Sequence, residues 1–296
     1  KINEYGVSKF GDRIAGKTEI SVYEAIGLSY IPPELRENRG EIEAAREGRL
    51  PALVESRDIK GDLHVHTKAS DGRFSLKEMA EAAKKKGLKY IAIAEHSKLL
   101  AYAGGLDASR LQAQIDEIDR FNDELQGLTI LKSIEVDILK DGRLDLPDDV
   151  LGRLDLVVGS VHSHFSLPRE VQTERILRAM DRPYFSILAH PSGRLINERE
   201  PLMLDMEKII ARASERGCFL ELNDNPKRLD IVDINCRIAK DLGVLIAINT
   251  DAHSTNDFDN LCFGIGQARR GWLAKENVLN TRPLAELRKL LKQTMG

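Results

Sequence analysis

The sequence predicts an α/β fold of parallel strands joined by helical crossovers, either an open sheet or a closed barrel. Two observations carry that expectation: from Ile59 onward short apolar runs alternate with helical stretches, and there are seven such runs. Alternation of this kind gives parallel sheets. Residues 59 to 296 approach the roughly 250 residues of a (β/α) barrel. No glycine-rich phosphate loop follows the first run, which weighs against an open dinucleotide-binding sheet.

Taken in order, residues 1 to 57 hold short turns, the pair Pro32-Pro33, and EIEAAREGRLP, a short helix closed by Gly48 and Pro51. They read as a small helical appendage followed by a linker. The apolar runs are DLHVH (62 to 66), YIAIAEH (90 to 96), ILKSIEVDI (130 to 138), DLVVGSVH (155 to 162), SILAH (186 to 190), CFLEL (218 to 222) and VLIAINT (244 to 250). Between them Leu76, Met79, Ala80 and Ala83 follow helical spacing, as do Met206, Ile209, Ile210 and Ala213. Ser75 and Asp107 are expected N-caps. LKDGRLDL (139 to 146) predicts a tight turn after the third run.

Composition narrows the function classes. Acidic residues number 47 against 44 basic ones, which excludes a scaffold held on nucleic acid by bulk charge but leaves room for a local cationic groove. No stretch has the length and apolarity of a membrane span, and KINEYGVSKF lacks the apolar core of a secretion signal. A cytoplasmic protein without a membrane partner is expected. Cys218, Cys236 and Cys262 lack paired spacing and read as free thiols. The first residue is Lys rather than Met, so the chain is expected to be a piece of something longer.

The chemistry concentrates on seven histidines. His64 and His66 end the first run, His96 the second, His162 and His164 the fourth and His190 the fifth, while His253 follows the seventh. In parallel α/β folds the carboxyl ends of strands form the functional rim. Asp71, Glu95, Glu135, Asp137 and Asp251 fall on the same rim. Imidazole and carboxylate together are the mixed donor set for Zn²⁺, Mn²⁺ or Fe²⁺. H-x-H and D-x-H on extended chain present both side chains to one side. Nine donors (His64, His66, Asp71, His96, Glu135, His162, His190, Asp251 and His253) exceed what two four-coordinate ions need, so three ions are expected, with Glu135 bridging. Three divalent ions outweigh three carboxylates, and that positive surplus suits a phosphate ester. His164 is the weakest member and is left between an outer role and the surface.

The set DLHVHTKASDG, AIAEHS, the Glu135 strand, SVHSHF, LAHPSGR and NTDAHS resembles the PHP (polymerase and histidinol phosphatase) superfamily over residues 59 to 296. AYAGGL, GSVHSHF, RLINEREP, GQARRGWL and NVLNT resemble the PHP domain that ends bacterial and archaeal family X DNA polymerases. NEYGV, GDRIAGKTE and YIPPELRENRGEIEAA resemble the end of that polymerase's thumb. The resemblance implies a distorted (β/α)7 barrel over residues 58–296 and a thumb remnant plus linker over 1–57. It also implies that His64, His66, Glu135 and Asp251 hold one ion, that Glu135, His162 and His190 hold a second, and that Asp71, His96 and His253 hold a third. Glu95 is expected to orient His96.

The implied activity is metal-dependent phosphoester hydrolysis at DNA 3′ ends, gapped or single-stranded. A 3′–5′ exonuclease with 3′-phosphatase or phosphodiesterase activity is expected, with abasic-site cleavage as a further option. Upstream polymerase domains are the expected partners, and no polymerase activity is expected from this chain. Glu135, His66 and Asp251 are the expected catalytic centre, with Arg194 and Arg228 as phosphate clamps and Arg269 and Arg270 as weaker candidates. Competing readings are a small-molecule phosphatase of the histidinol-phosphate type, an amidohydrolase, and a non-catalytic DNA-holding module.

Overall fold

The computed structural model describes residues 1–295, which divide into two compact units, Lys1–Leu53 and Val54–Gly296. The larger unit starts at Val54. Val54 is fully buried and its amide donates to Leu273 O at 2.9 Å.

The smaller unit corrects the expectation of a helical appendage. It opens with a three-stranded antiparallel meander, β1 (Ile2–Asn3), β2 (Gly6–Lys9) and β3 (Asp12–Ala15), before α1 (Glu19–Ala25) and α2 (Glu41–Arg46). Strands of two to four residues are too short to show a period. Gly11 supplies the turn between β2 and β3 at φ +99°, a conformation that favours glycine. Thr18 caps α1, and the Arg36 guanidinium forks onto the Glu19 carboxylate at 3.0 and 3.1 Å.

In the larger unit, β4 (Gly61–Val65), β5 (Tyr90–Ile93) and β6 (Thr129–Lys132) form one parallel sheet. A second holds β7 (Glu135–Asp137), β8 (Val158–Ser160), β9 (Ile187–Leu188), β10 (Phe219–Asn223) and β11 (Ile246–Asn249). The helices are α3 (Leu76–Lys85), α4 (Ala108–Glu124), α5 (Asp148–Leu151), α6 (Arg169–Met180), α7 (Met206–Arg216), α8 (Asp233–Asp241), α9 (Leu261–Arg270) and α10 (Leu284–Thr294). The expected caps Ser75 and Asp107 accept from the amides of Glu78 and Arg110. The 139–146 excursion folds back as a hairpin, with Ile138 bridged to Leu144.

Among the described residues no closed barrel forms. The two sheets meet only at single bridges, Val65 with Ala252 and His96 with Glu135. At the seam beside Glu135 the third apolar run is two strands. It breaks at Ser133-Ile134, so that β6 completes the first sheet and β7 opens the second. No helix among the described residues is long and apolar enough to cross a membrane.

Strand residues alternate between two apolar clusters with the period of a pleated sheet. Ile91, Ile93, Leu220, Ile246 and Ile248 face the cluster packed by α3, α4 and α6 to α9, while Ala92, Ala94, Val158, Phe219 and Ala247 face an inner cluster closed by Leu287 and Leu291 of α10. Along that inner side four strands, β5, β8, β10 and β11, turn from apolar to polar: Ala92, Ala94, His96; Val158, Ser160, His162; Phe219, Glu221, Asn223; Ala247, Asn249, Asp251. This gradient places a polar site above a dry core.

Candidate metal centre

All nine expected donors come together around Glu135, which is fully buried at the start of β7. Its Oε1 lies 2.9 Å from His190 Nε2 and 3.2 Å from His162 Nε2. Its Oε2 lies 2.7 Å from His96 Nδ1, 3.5 Å from His64 Nε2 and 3.6 Å from His66 Nε2. Asp251 Oδ1 sits 3.1 Å from His66 Nε2 and 3.5 Å from His64 Nε2. Asp71 reaches His253 Nε2 at 3.3 Å and His96 Nε2 at 3.4 Å. The His66 and His253 rings stack at 4.2 Å between centroids.

Three groups have donor atoms close enough to share an ion: His64, His66 and Asp251; His66, Asp71, His96 and His253; and His96, Glu135 and His162. The residues fit divalent ions. His64 Nε2, both ring nitrogens of His66, His96 Nδ1, Glu135 Oε2 and His190 Nδ1 are buried and make no hydrogen bond. Buried lone pairs left this way are costly unless something else engages them. His96 Nδ1 and Glu135 Oε2 approach to 2.7 Å without the direction of a hydrogen bond.

The electrostatics follow from crowding. Burial would raise the Glu135 carboxyl, but His162, His96 and His64 hold it well below the carboxylate range. Asp251 is held down likewise by His64, His66 and His253 against the effect of burial. Burial works against protonation of His96, yet Glu135 and Asp71 push it up to about 10, and carboxylates carry His162 and His253 to about 9. Burial lowers His66 to about 3, helped by the neighbouring His253 and His96.

The backbone is bent to make this arrangement. His190 and Asp251 have φ of +27° and +53°, left-handed values that cost a non-glycine residue on the order of 1–3 kcal/mol. Asp71 rides on a tight loop in which Gly72 N donates to Thr67 O at 2.9 Å. A Cβ at Gly72 would meet Thr67 backbone at 2.7 Å, so only glycine fits.

Two expectations change, and the open position of His164 is decided. Glu95 does not orient His96: its carboxylate accepts from Thr67 N at 2.9 Å and from the Thr67 and Ser70 hydroxyls, clamping the loop that carries Asp71. His164 is exposed at φ +57° and lies outside the cluster. Arg194 donates from Nε and Nη2 to Arg228 O and Leu229 O, both at 2.6 Å, so these donors brace a loop rather than face phosphate. Arg228 is the better-placed cation. Its Nε lies 3.7 Å from Asp251 Oδ2, and its Nη1 is buried without a protein partner.

The sequence reading missed Glu221, Asn223 and Asn249, all fully buried beneath the cluster. Their signal was present as polar residues two apart inside apolar runs.

The chain belongs to the PHP domain family, whose match covers residues 62–225, and the DNA polymerase beta thumb family matches residues 1–37. It is 43% identical over 295 residues to the DNA polymerase/3'-5' exonuclease PolX of Bacillus subtilis (strain 168), a match covering 99% of this chain and 51% of PolX. The chain therefore spans about half the length of that relative. A protein of Thermoanaerobacter sp. (strain X514) named as a probable phosphatase is 30% identical over 243 residues, covering 78% of this chain and 94% of that one. The fold is shared with histidinol phosphate phosphatase from Lactococcus lactis, solved with zinc, L-histidinol and phosphate, at a TM-score of 0.52 and 17% identity over 72% of this chain and 93% of that one.

Proposed function

We propose that the chain is a metal-dependent phosphoesterase acting on DNA 3′ ends, as a 3′–5′ exonuclease with 3′-phosphatase or phosphodiesterase activity, in a longer polymerase. The observation that carries this reading is the convergence of six histidines on Glu135 and its two companion carboxylates, Asp71 and Asp251, with unengaged buried lone pairs. The thumb match and the likeness to PolX support DNA as the substrate and polymerase domains as partners.

His64, His66, Asp71, His96, Glu135, His162, His190, Asp251 and His253 would hold divalent ions, Mn²⁺, Zn²⁺ or Fe²⁺, three of them on this reading, with His66 and His96 each shared between two of the donor groups. Bound there, such ions polarise phosphoryl oxygens and activate water. Arg228, whose Nη1 is buried without a protein partner beside Asp251, would supply a cation to an entering phosphate, while Arg194 holds the Arg228 main chain. His66 and Asp251 come from just past the ends of β4 and β11, and Glu135 from the start of β7.

Elemental analysis together with a Mn²⁺-dependent digestion of 3′-labelled oligonucleotide tests the proposal. More than one ion per chain and release of nucleotides are expected, with both reduced in His253→Ala. One ion per chain, or undiminished digestion by the variant, contradicts it. The phosphatase-like relatives favour a second reading, hydrolysis of small phosphomonoesters. Faster turnover of those esters than of DNA ends would select it.

A further inference from the structure

We infer that Glu221 is a positioning residue that fixes the proton of His64 and thereby aims its other nitrogen into the centre. The inference rests on the metal-centre reading above. Glu221 is fully buried in β10 and receives four approaches: His64 Nδ1 at 2.7 Å and Asn249 Nδ2 at 3.0 Å on Oε1, and the His190 amide at 2.8 Å and Asn223 Nδ2 at 3.3 Å on Oε2.

Both amide orientations are set by the main chain. Asn249 Oδ1 accepts from Leu63 N at 3.0 Å and Asn223 Oδ1 from Asn225 N at 3.1 Å, so each must turn its NH₂ toward Glu221. With the His190 amide, three of the four approaches are necessarily donors. Three donors leave one lone-pair site on the two oxygens, and a fourth donor completes the set. His64 Nδ1 therefore donates. Its Nε2, buried and without a hydrogen bond, lies 3.5 Å from both Glu135 Oε2 and Asp251 Oδ1. The same node reaches Asp251 through Asn223, whose Nδ2 also donates to Asp251 Oδ2 at 3.1 Å. Glu221 thus ties together the ends of β4, β9, β10 and β11.

Glu221→Gln keeps the size of the side chain and puts an NH₂ against two donors whichever way it turns. Zinc titration calorimetry, with circular dichroism as the check on folding, is expected to give a zinc affinity about 10–100-fold lower in the variant. Equal affinity and stoichiometry in a folded variant overturns the inference. Ring ¹⁵N spectra of histidine-labelled wild type, taken with and without zinc, read the contact with no variant at all. A proton on His64 Nδ1 is expected in both states, and an unprotonated Nδ1 in either state overturns the assignment. Wild type that takes up no zinc would sink the metal-centre reading, while the Nδ1 proton still decides the role of Glu221.

Discussion

At the scale of single residues, the two arginines after the fifth and sixth apolar runs have different tasks. Arg228 has a buried Nη1 without a protein partner beside Asp251, whereas two donors of Arg194 are committed to the carbonyls of Arg228 and Leu229. Losing a hydrogen bond to a charged group costs about 1.5–3 kcal/mol. Arg228→Ala is accordingly expected to lower kcat/KM on a 3′-labelled oligonucleotide by about tenfold to hundredfold, with bound metal unchanged by elemental analysis. Arg194→Ala is expected to lower the thermal midpoint as well, because it frees two carbonyls of the loop; equal midpoints for the two variants would contradict this division. The sequence made both arginines equal candidates, since a side chain's partners across 34 residues are invisible until the loop closes.

At the scale of elements, the loop between β4 and α3 shows how local chemistry holds a ligand. Glu95 draws Thr67 and Ser70 inward, and Gly72 lets the chain pass against Thr67. Gly72→Ala is expected to displace Asp71, weakening zinc binding in a calorimetric titration while the rest of the fold survives; unchanged affinity would count against the clamp. Beside it, Ser75 and Glu78 form a capping box on α3. Ser75→Ala is expected to destabilise the chain by about 1 kcal/mol in denaturant unfolding without loss of metal. The helices were legible because buried Leu76, Met79, Ala80 and Ala83 carry a clear period. The meander at residues 2–15 and the break at Ser133-Ile134 were not, because neither short strands nor an uninterrupted apolar run records where pairing stops.

At the scale of the whole molecule, the centre couples metal, protons and stability. Without metal, burial disfavours charge on His96, His162 and His253, but the carboxylates win and hold their pKa values at about 10, 9 and 9. These lie above the unfolded value near 6.5, so the stabilisation is fully present below that pH and is lost as pH rises through about 9 to 10. Scanning calorimetry of the metal-free protein is expected to show a falling midpoint across that window, and a rise would refute the assignment. Zinc must displace the same protons, so its binding at neutral pH is expected to release protons and to strengthen with pH. Titrations in two buffers of different ionisation heat measure the number released.

The sequence by itself determined the alternation of strands and helices, the rim on which the histidines gather, and nine donors of one metal-binding chemistry. These depend on residue type and on periods of two and 3.6, which a linear chain displays. Only the tertiary structure decided that two sheets meet at single bridges, that Glu95 serves the loop rather than His96, that His164 faces solvent, and that four polar groups close on Glu221 under the site. Each of those depends on which groups distant in sequence share a burial site, where an unpaired donor or acceptor is costly and the fold must supply its partner.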